Sequence, residues 1–230
     1  MPYNFEEGEV LLIDKPYRWT SFDAVRKIRN TIKTKKIGHA GTLDPLATGL
    51  LILCTGKKTK SIDLYQAQEK EYTGQLVLGK TTPSVDLETA FDQTYPTEHI
   101  TPAMIEEAAS SLTGDLQQIP PVYSAIQVNG QRLYKKARKG ETVEIKSREV
   151  SVHSFDITHI DFPVVHFRIT CSKGTYIRSL VRDFGQHLQS GAYLSVLRRV
   201  RIGDFNVAEA QTIEQFIQSL GQQHEGIPGT

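Results

Sequence analysis

Two strand-length apolar stretches, residues 143–157 and 164–171, follow each other with no helix between them. Residues 9–14 (EVLLID), 50–54 (LLILC), 70–78 and 192–200 read as further strands, so strands outnumber helices. Several neighbouring strands lack an intervening helix, which argues against a doubly wound βαβ fold. The predicted class is α+β, a mixed and mostly antiparallel sheet flanked by helices and loops.

The helices have their own signals. Thr20 or Ser21 caps a helix with Phe22, Val25, Ile28 and Ile32 as its apolar stripe. Thr101–Pro102 starts a second, with proline at the first helical position and Ile105, Ala108, Ala109 and Leu112 at helical spacing. Residues 175–188 form a third, with Ile177, Leu180, Val181, Phe184 and Leu188 on one side. Residues 58–65 and a segment containing Ile213, Phe216, Ile217 and Leu220 read as two more, and residues 133–139 as a short basic helix closed by Gly140. Residues 80–96 read as loop, and residues 122–128 as a strand entering a turn at Asn129–Gly130. The polar tail from Gly221 is expected to fray.

At 230 residues, 39% hydrophobic and 23% charged, the chain has the composition of ordinary globular material with a sizeable core. We expect one domain over residues 1–220 with a basic insertion at about 131–148, then a tail over 221–230. The longest unbroken apolar run is the five residues 50–54, far short of the roughly twenty that span a bilayer. No basic stretch leads into an apolar one at the N-terminus, so the expectation is a cytoplasmic protein away from membranes. Cys54 and Cys171 each end an apolar run and read as buried free thiols. The seven histidines show no metal-ligand spacing, and no metal is expected.

Net charge is +1, but its distribution is uneven. Residues 26–36 hold six basic residues (Arg26, Lys27, Arg29, Lys33, Lys35, Lys36) and no acidic one. Residues 132–148 hold seven basic residues, among them Arg132, Lys135, Lys136, Arg138 and Lys139, against two acidic. Local excess of this kind recognises phosphates, although a basic run also serves as a solvated face.

The segment richest in chemistry is KIGHAGTLDPLATGLL, residues 36–51. Its glycines permit tight turns and close approach to a ligand. Pro45 forces Asp44 into an extended conformation and so aims its carboxylate. The plainer reading of Asp44–Pro45 is a turn start. No phosphate-loop pattern is present, because the Lys–Ser/Thr ending is missing.

GHAGTLDPLATG (residues 38–49) resembles the signature of the TruB family, the tRNA pseudouridine-55 synthases. Further matches follow in the family's order: LLIDKP (11–16), TSFDAV (20–25), KEYTGQLVLG (70–79), IPPVYSAIQVNGQRLYKKARKG (119–140), CSKGTYIRSLVRDFG (171–185) and LRRVRIGDF (197–205). The resemblance covers about residues 8–220. It implies a pseudouridine-synthase fold and an isomerase that turns uridine 55 of the tRNA T-loop into pseudouridine without a cofactor, acting as a monomer on the T-arm. Two departures stand out. The family's TDTxD-like loop reads TTPSVDLET (81–89), with Asp86 matching its last acidic residue, and the complete C-terminal PUA module of longer members is not expected here.

The resemblance also implies roles. Asp44 is the catalytic carboxylate at the ribose, by covalent attack or as a base; the residues do not choose between these routes. Arg178 keeps it ionised and aimed, although spacing alone would make Arg178 a solvated helix arginine. Tyr72 stacks on the target uracil, and Tyr176 and Leu197 line its pocket; core packing is the competing reading for all three. Lys15 and Pro16 support the catalytic loop, His39 packs against the RNA where bases leave the stack, and the two basic runs hold phosphates. Two other readings fit the scaffold less well: a catalytically silent tRNA-binding protein, and a carbohydrate hydrolase pairing Asp44 with Asp86 or Asp183.

Overall fold

The computed structural model describes residues 3–124, 127–128, 131–132 and 145–225. In chain order its elements are β1 (Val10–Lys15), α1 (Ser21–Ile32), β2 (Ile37–His39), β3 (Thr48–Thr55), a 3-10 turn (Gly56–Ser61) running into α2 (Ile62–Ala67), β4 (Lys70–Leu78), β5 (Lys80–Thr81), β6 (Gln93–Thr94) and α3 (Pro102–Ser111). There follow β7 (Gly114–Gln118), β8 (Gln127–Val128), β9 (Gln131–Arg132), β10 (Arg148–Asp161), β11 (Val164–Cys171), α4 (Ile177–His187), β12 (Ala192–Ile202), β13 (Phe205–Asn206), β14 (Gln211–Thr212) and α5 (Ile213–Glu225). The chain divides into two compact units, one within Met1–Tyr72 and Arg198–Thr230, the other within Thr73–Leu197.

In the first unit the strands run in the order β14, β1, β3, β12, with β2 also paired to β3 and β13 to β12. β1 and β3 are antiparallel, whereas β3 and β12 are parallel through Arg198 opposite Thr48 and Arg199 opposite Gly49. The unbroken LLILC run has a simple cause. Leu51 and Leu53 face a cluster with Leu11, Ile13, Val25, Ile28 and Phe216, while Leu50, Ile52 and Cys54 face a second cluster with Ala40 and Ile202. A strand covered on both sides has no reason to alternate. α1 starts at a capping box: Asp23 N–H donates to Thr20 Oγ1 at 3.0 Å and Thr20 N–H to Asp23 Oδ2 at 3.1 Å.

In the second unit β4, β11, β10 and β7 lie side by side, β11 and β7 each antiparallel to β10. Its core includes an aromatic group in which the Phe155 ring lies 5.8 Å from Phe167 and 5.5 Å from Phe184. Phe184 comes from α4, whose apolar side Ile177, Leu180, Val181 and Phe184 is buried as its spacing predicts.

The predicted α+β class and mixed sheet stand, and several details differ. Phe22 does not join the α1 stripe: it is 61% exposed, because Ser21, Ala24, Val25 and Ile28 occupy the buried face. The stretch over 80–96 contains the short pair β5–β6. Among the described residues of 122–128 only Gln127–Val128 is strand, and the strand predicted from 143 begins at Arg148. α4 starts at Ile177, two residues later than predicted, and α5 continues past Gly221 to Glu225. The helix predicted over 133–139 lies outside the described residues.

Candidate active site

The loop between β2 and β3 is tied down on both sides of Asp44. Leu43 N–H donates to Ser21 Oγ at 2.9 Å, and that hydroxyl lies 3.2 Å from Leu43 O. After Asp44, the Lys15 ammonium lies 3.5 Å from Pro45 O, and Ala47 N–H closes the Asp-Pro turn onto Asp44 O at 3.1 Å. Farther out, the Arg199 guanidinium donates to Gly41 O at 3.1 Å and Leu50 O at 2.8 Å. A half-buried carboxylate thus sits on a segment gripped at residues 41, 43, 45 and 50. Gly49 is required by the same packing. Its φ is +103°, and a Cβ there would meet the Arg199 carbonyl oxygen at 2.3 Å.

Lys15, fully buried, also donates to Trp19 O at 2.6 Å and Pro16 O at 3.0 Å. Burial pushes its ammonium down from an ordinary 10.5 to about 8; the Asp44 charge pulls it back up and Arg199 pushes it further down. Burial and then the Arg199 charge also hold the His39 imidazole below its ordinary value, against the opposing effect of a Gly41 backbone hydrogen bond. Tyr72 is buried on β4, and Pro16 is half-buried beside Lys15. The first unit therefore gathers Lys15, Pro16 and Asp44 around one loop, on the chain segment that His39 opens.

Arg178 overturns the reading that spacing alone favours. It is 3% exposed, not solvated. Its Nη1 donates to Ser84 O at 3.1 Å, its Nη2 to Tyr123 O at 2.9 Å, and its Nε lies 3.8 Å from Asp86 Oδ2. A buried charge needs such compensation. Asp86 is itself fixed: Glu88 N–H donates to Oδ1 at 2.9 Å, while Thr82 Oγ1 donates to its carbonyl at 2.6 Å. Between them Val85 sits at φ +61°, a rare conformation for a β-branched residue that the hydrogen-bond net maintains. The loop that departs from the family pattern is thus a built structure around the arginine, with Thr82, Ser84, Val85 and Asp86 buried.

Tyr176 is half-buried at the head of α4, with its N–H and C=O both bound by the Gln118 side chain at 2.8 and 3.2 Å. Leu197 is buried at 7% exposure. Arg26, Lys27, Lys33, Lys35 and Lys36 are exposed as expected, although Arg26 is paired with Asp23 at 2.9 Å. Arg132 belongs to β9, while Lys135, Lys136, Arg138 and Lys139 lie outside the described residues. Sequence reasoning did not single out Arg199 or Gln118, and it held Arg148 only as the last member of the basic run over 132–148. Arg199 and Gln118 carry the same signal, a polar side chain at a buried strand position.

A model of the "TruB family pseudouridylate synthase (N terminal domain)" matches residues 29–177, and a model of the "tRNA pseudouridylate synthase B C-terminal domain" matches residues 178–226. A protein of Flavobacterium johnsoniae named tRNA pseudouridine synthase B is 54% identical over 95% of this chain and 99% of its own length. One of the same name from Phocaeicola vulgatus is 51% identical over 96% of each. Among solved structures, a chain in a crystal structure of a Cbf5-Nop10-Gar1 complex is similar with a TM-score of 0.75 and 26% identity. The match covers 97% of this chain but 58% of that one. With a family model spanning well over half of it and relatives of about half identity along its whole length, the chain belongs to the TruB family of pseudouridylate synthases.

Proposed function

We propose that this protein is a tRNA pseudouridine-55 synthase, an isomerase that acts on the T-arm of tRNA in the cytoplasm. The observation that carries the reading is the tethered Asp44 loop within a chain 54% identical, end to end, to a tRNA pseudouridine synthase B. Among the described residues no helix is long and apolar enough to cross a membrane.

The reaction breaks the bond from uracil N1 to ribose C1′, turns the freed ring, joins C5 to C1′ and moves the C5 proton away. It involves no net redox change. Its demand is a carboxylate aimed at an electron-poor sugar carbon, the logic by which glycosidases use theirs. We assign this to Asp44, as nucleophile at C1′ or as base at the ribose. A charge pair 4 Å apart is worth about 1 kcal/mol in water but about 4 kcal/mol at an effective dielectric near 20. Asp44 is half-buried in the free protein, so the substrate base completes the exclusion of water. Tyr72 is assigned to stack on the uracil and to help remove the C5 proton, and Tyr176 and Leu197 to line the base. Arg178 is assigned as the cation favouring an ionised carboxylate, a role supported by its being buried and held by hydrogen bonds rather than solvated. Lys15, with Pro16, holds the loop.

Asp44→Asn tests the assignment. It should retain tRNA binding while losing tritium release from C5-labelled uridine, and mapping of T-arm transcripts should show no pseudouridine. Unchanged turnover refutes the role of Asp44, and a wild-type chain that binds but never converts uridine marks a tRNA-binding protein instead.

A further inference from the structure

Tyr176 is held by one cross-strand pair. Gln118, the last residue of β7, lies directly opposite Arg148, the first of β10, in their antiparallel ladder. Gln118 binds the Tyr176 backbone on both sides, its Oε1 accepting from the N–H at 2.8 Å and its Nε2 donating to the C=O at 3.2 Å. Arg148 covers the ring, with its guanidinium carbon 4.4 Å from the ring centroid. A planar guanidinium on an aromatic face is a favourable stack that also fixes the plane of the ring.

This stack leaves the edge of the guanidinium unused. Nε and Nη2 of Arg148 are buried and find no acceptor among the described residues. Native structures seldom leave such donors unmatched, and each instance calls for an explanation. These two nitrogens lie on the same side of the guanidinium. Their N–H bonds point in parallel, the fork that matches two oxygens of a phosphate. Arg148 also borders the turn at residues 172–175 that leads into α4. A Cβ added to exposed Gly174 would lie 3.8 Å from Arg148 Nη1, so the turn runs within van der Waals reach of the guanidinium. Lys173, next along the turn, is exposed and adds a second positive charge.

We infer that Arg148 is an RNA-binding residue of this site: its stacked face holds Tyr176 in place while its Nε and Nη2 edge takes a phosphate group of the bound RNA. The inference rests on the reading of the protein as an RNA-modifying enzyme, which supplies the phosphate. One guanidinium thereby couples the position of the ring assigned to the uracil to the position of the RNA backbone.

The test uses the full chain and a T-arm transcript, with binding titrated at several salt concentrations and turnover assayed separately. Arg148→Met keeps the length and apolar cover over Tyr176 but removes the fork; Arg148→Lys keeps the charge but not the planar edge. For Arg148→Met, affinity should fall about tenfold, and the slope of log K against log salt should drop by about one. Arg148→Lys should keep the parental slope and bind about threefold more weakly than the parent, since an ammonium serves phosphate as a point charge. The inference is overturned if Arg148→Met binds with parental affinity and slope, or if it binds more weakly with an unchanged slope, which would assign the nitrogens to a neutral acceptor. Should Arg148→Met fail to fold, Arg148→Lys decides: weaker binding on the parental slope supports the inference and unchanged affinity overturns it. A parent chain that makes no pseudouridine would show in the turnover assay alone and so be told apart.

Discussion

At the scale of single residues, Asp44 is prepared by its neighbours, and Lys15 is the neighbour whose state changes with pH. Its buried ammonium serves three carbonyls, those of Pro16, Trp19 and Pro45, and is lowered to about 8 chiefly by burial. Above that pH it becomes an amine with two N–H donors and no charge to set against Asp44. The value of kcat/KM should therefore fall with a midpoint at about 8, and Lys15→Met, slower throughout, should lack that alkaline limb. Stability should move the other way. Between about 8 and 10.5 the unfolded chain keeps the Lys15 proton more firmly than the folded one, so this group makes folding more favourable as pH rises. A pH–rate profile beside urea titrations separates the two trends, and parallel losses of activity and stability would reject Lys15 as the cause. The loop around Asp44 was legible in sequence because glycines and Asp-Pro announce it. Arg199 was not: along β12, Ala192 and Leu194 are buried but so are Leu197 and Arg199, a slip of one in the alternation that period-two reasoning cannot foresee.

At the scale of elements, long apolar strands and well-spaced helices were readable, and polar ones were not. β7 reads GDLQQ, which lacks an apolar pattern; it lies at the end of its sheet, where polar residues are tolerated. Yet this strand carries Gln118, which is 2% exposed and meets both polar groups of the Tyr176 backbone. Tyr176 heads α4 with no side-chain cap of its own. Removing a partner from buried backbone groups costs about 1–3 kcal/mol. Gln118→Leu should therefore lower the urea midpoint by a corresponding amount and raise KM more than it lowers kcat, because Tyr176 loses its backbone anchor. A midpoint and KM equal to those of the parent would show that water replaces the amide without loss. Loop 81–89 was likewise opaque, since its order comes from side chains bonding back to its own backbone.

At the scale of the whole molecule, 27 basic and 26 acidic residues nearly cancel, so binding an RNA depends on which charges remain unpaired. Asp14 pairs with Arg198, Glu69 and Glu71 with Arg201, and Asp23 with Arg26. Lys33, Lys35 and Lys36, exposed beyond the end of α1, form no ion pair among the described residues. Extruding a uridine from a folded loop costs a few kcal/mol, and stacking on one aromatic returns about 1–3 kcal/mol, so phosphate contacts must tip the balance. Each contact releases counterions and adds about 0.7–0.9 to the salt slope. Replacing Lys33, Lys35 and Lys36 together by Gln should flatten the slope for T-arm RNA by about two. Arg26→Ala should change it by less than one, because Asp23 already offsets that charge. The two variants have unequal expectations although they remove charge from the same basic run. Equal effects would mean that the run acts as an undifferentiated field, and no effect from the triple change would place the phosphate contacts elsewhere on the chain.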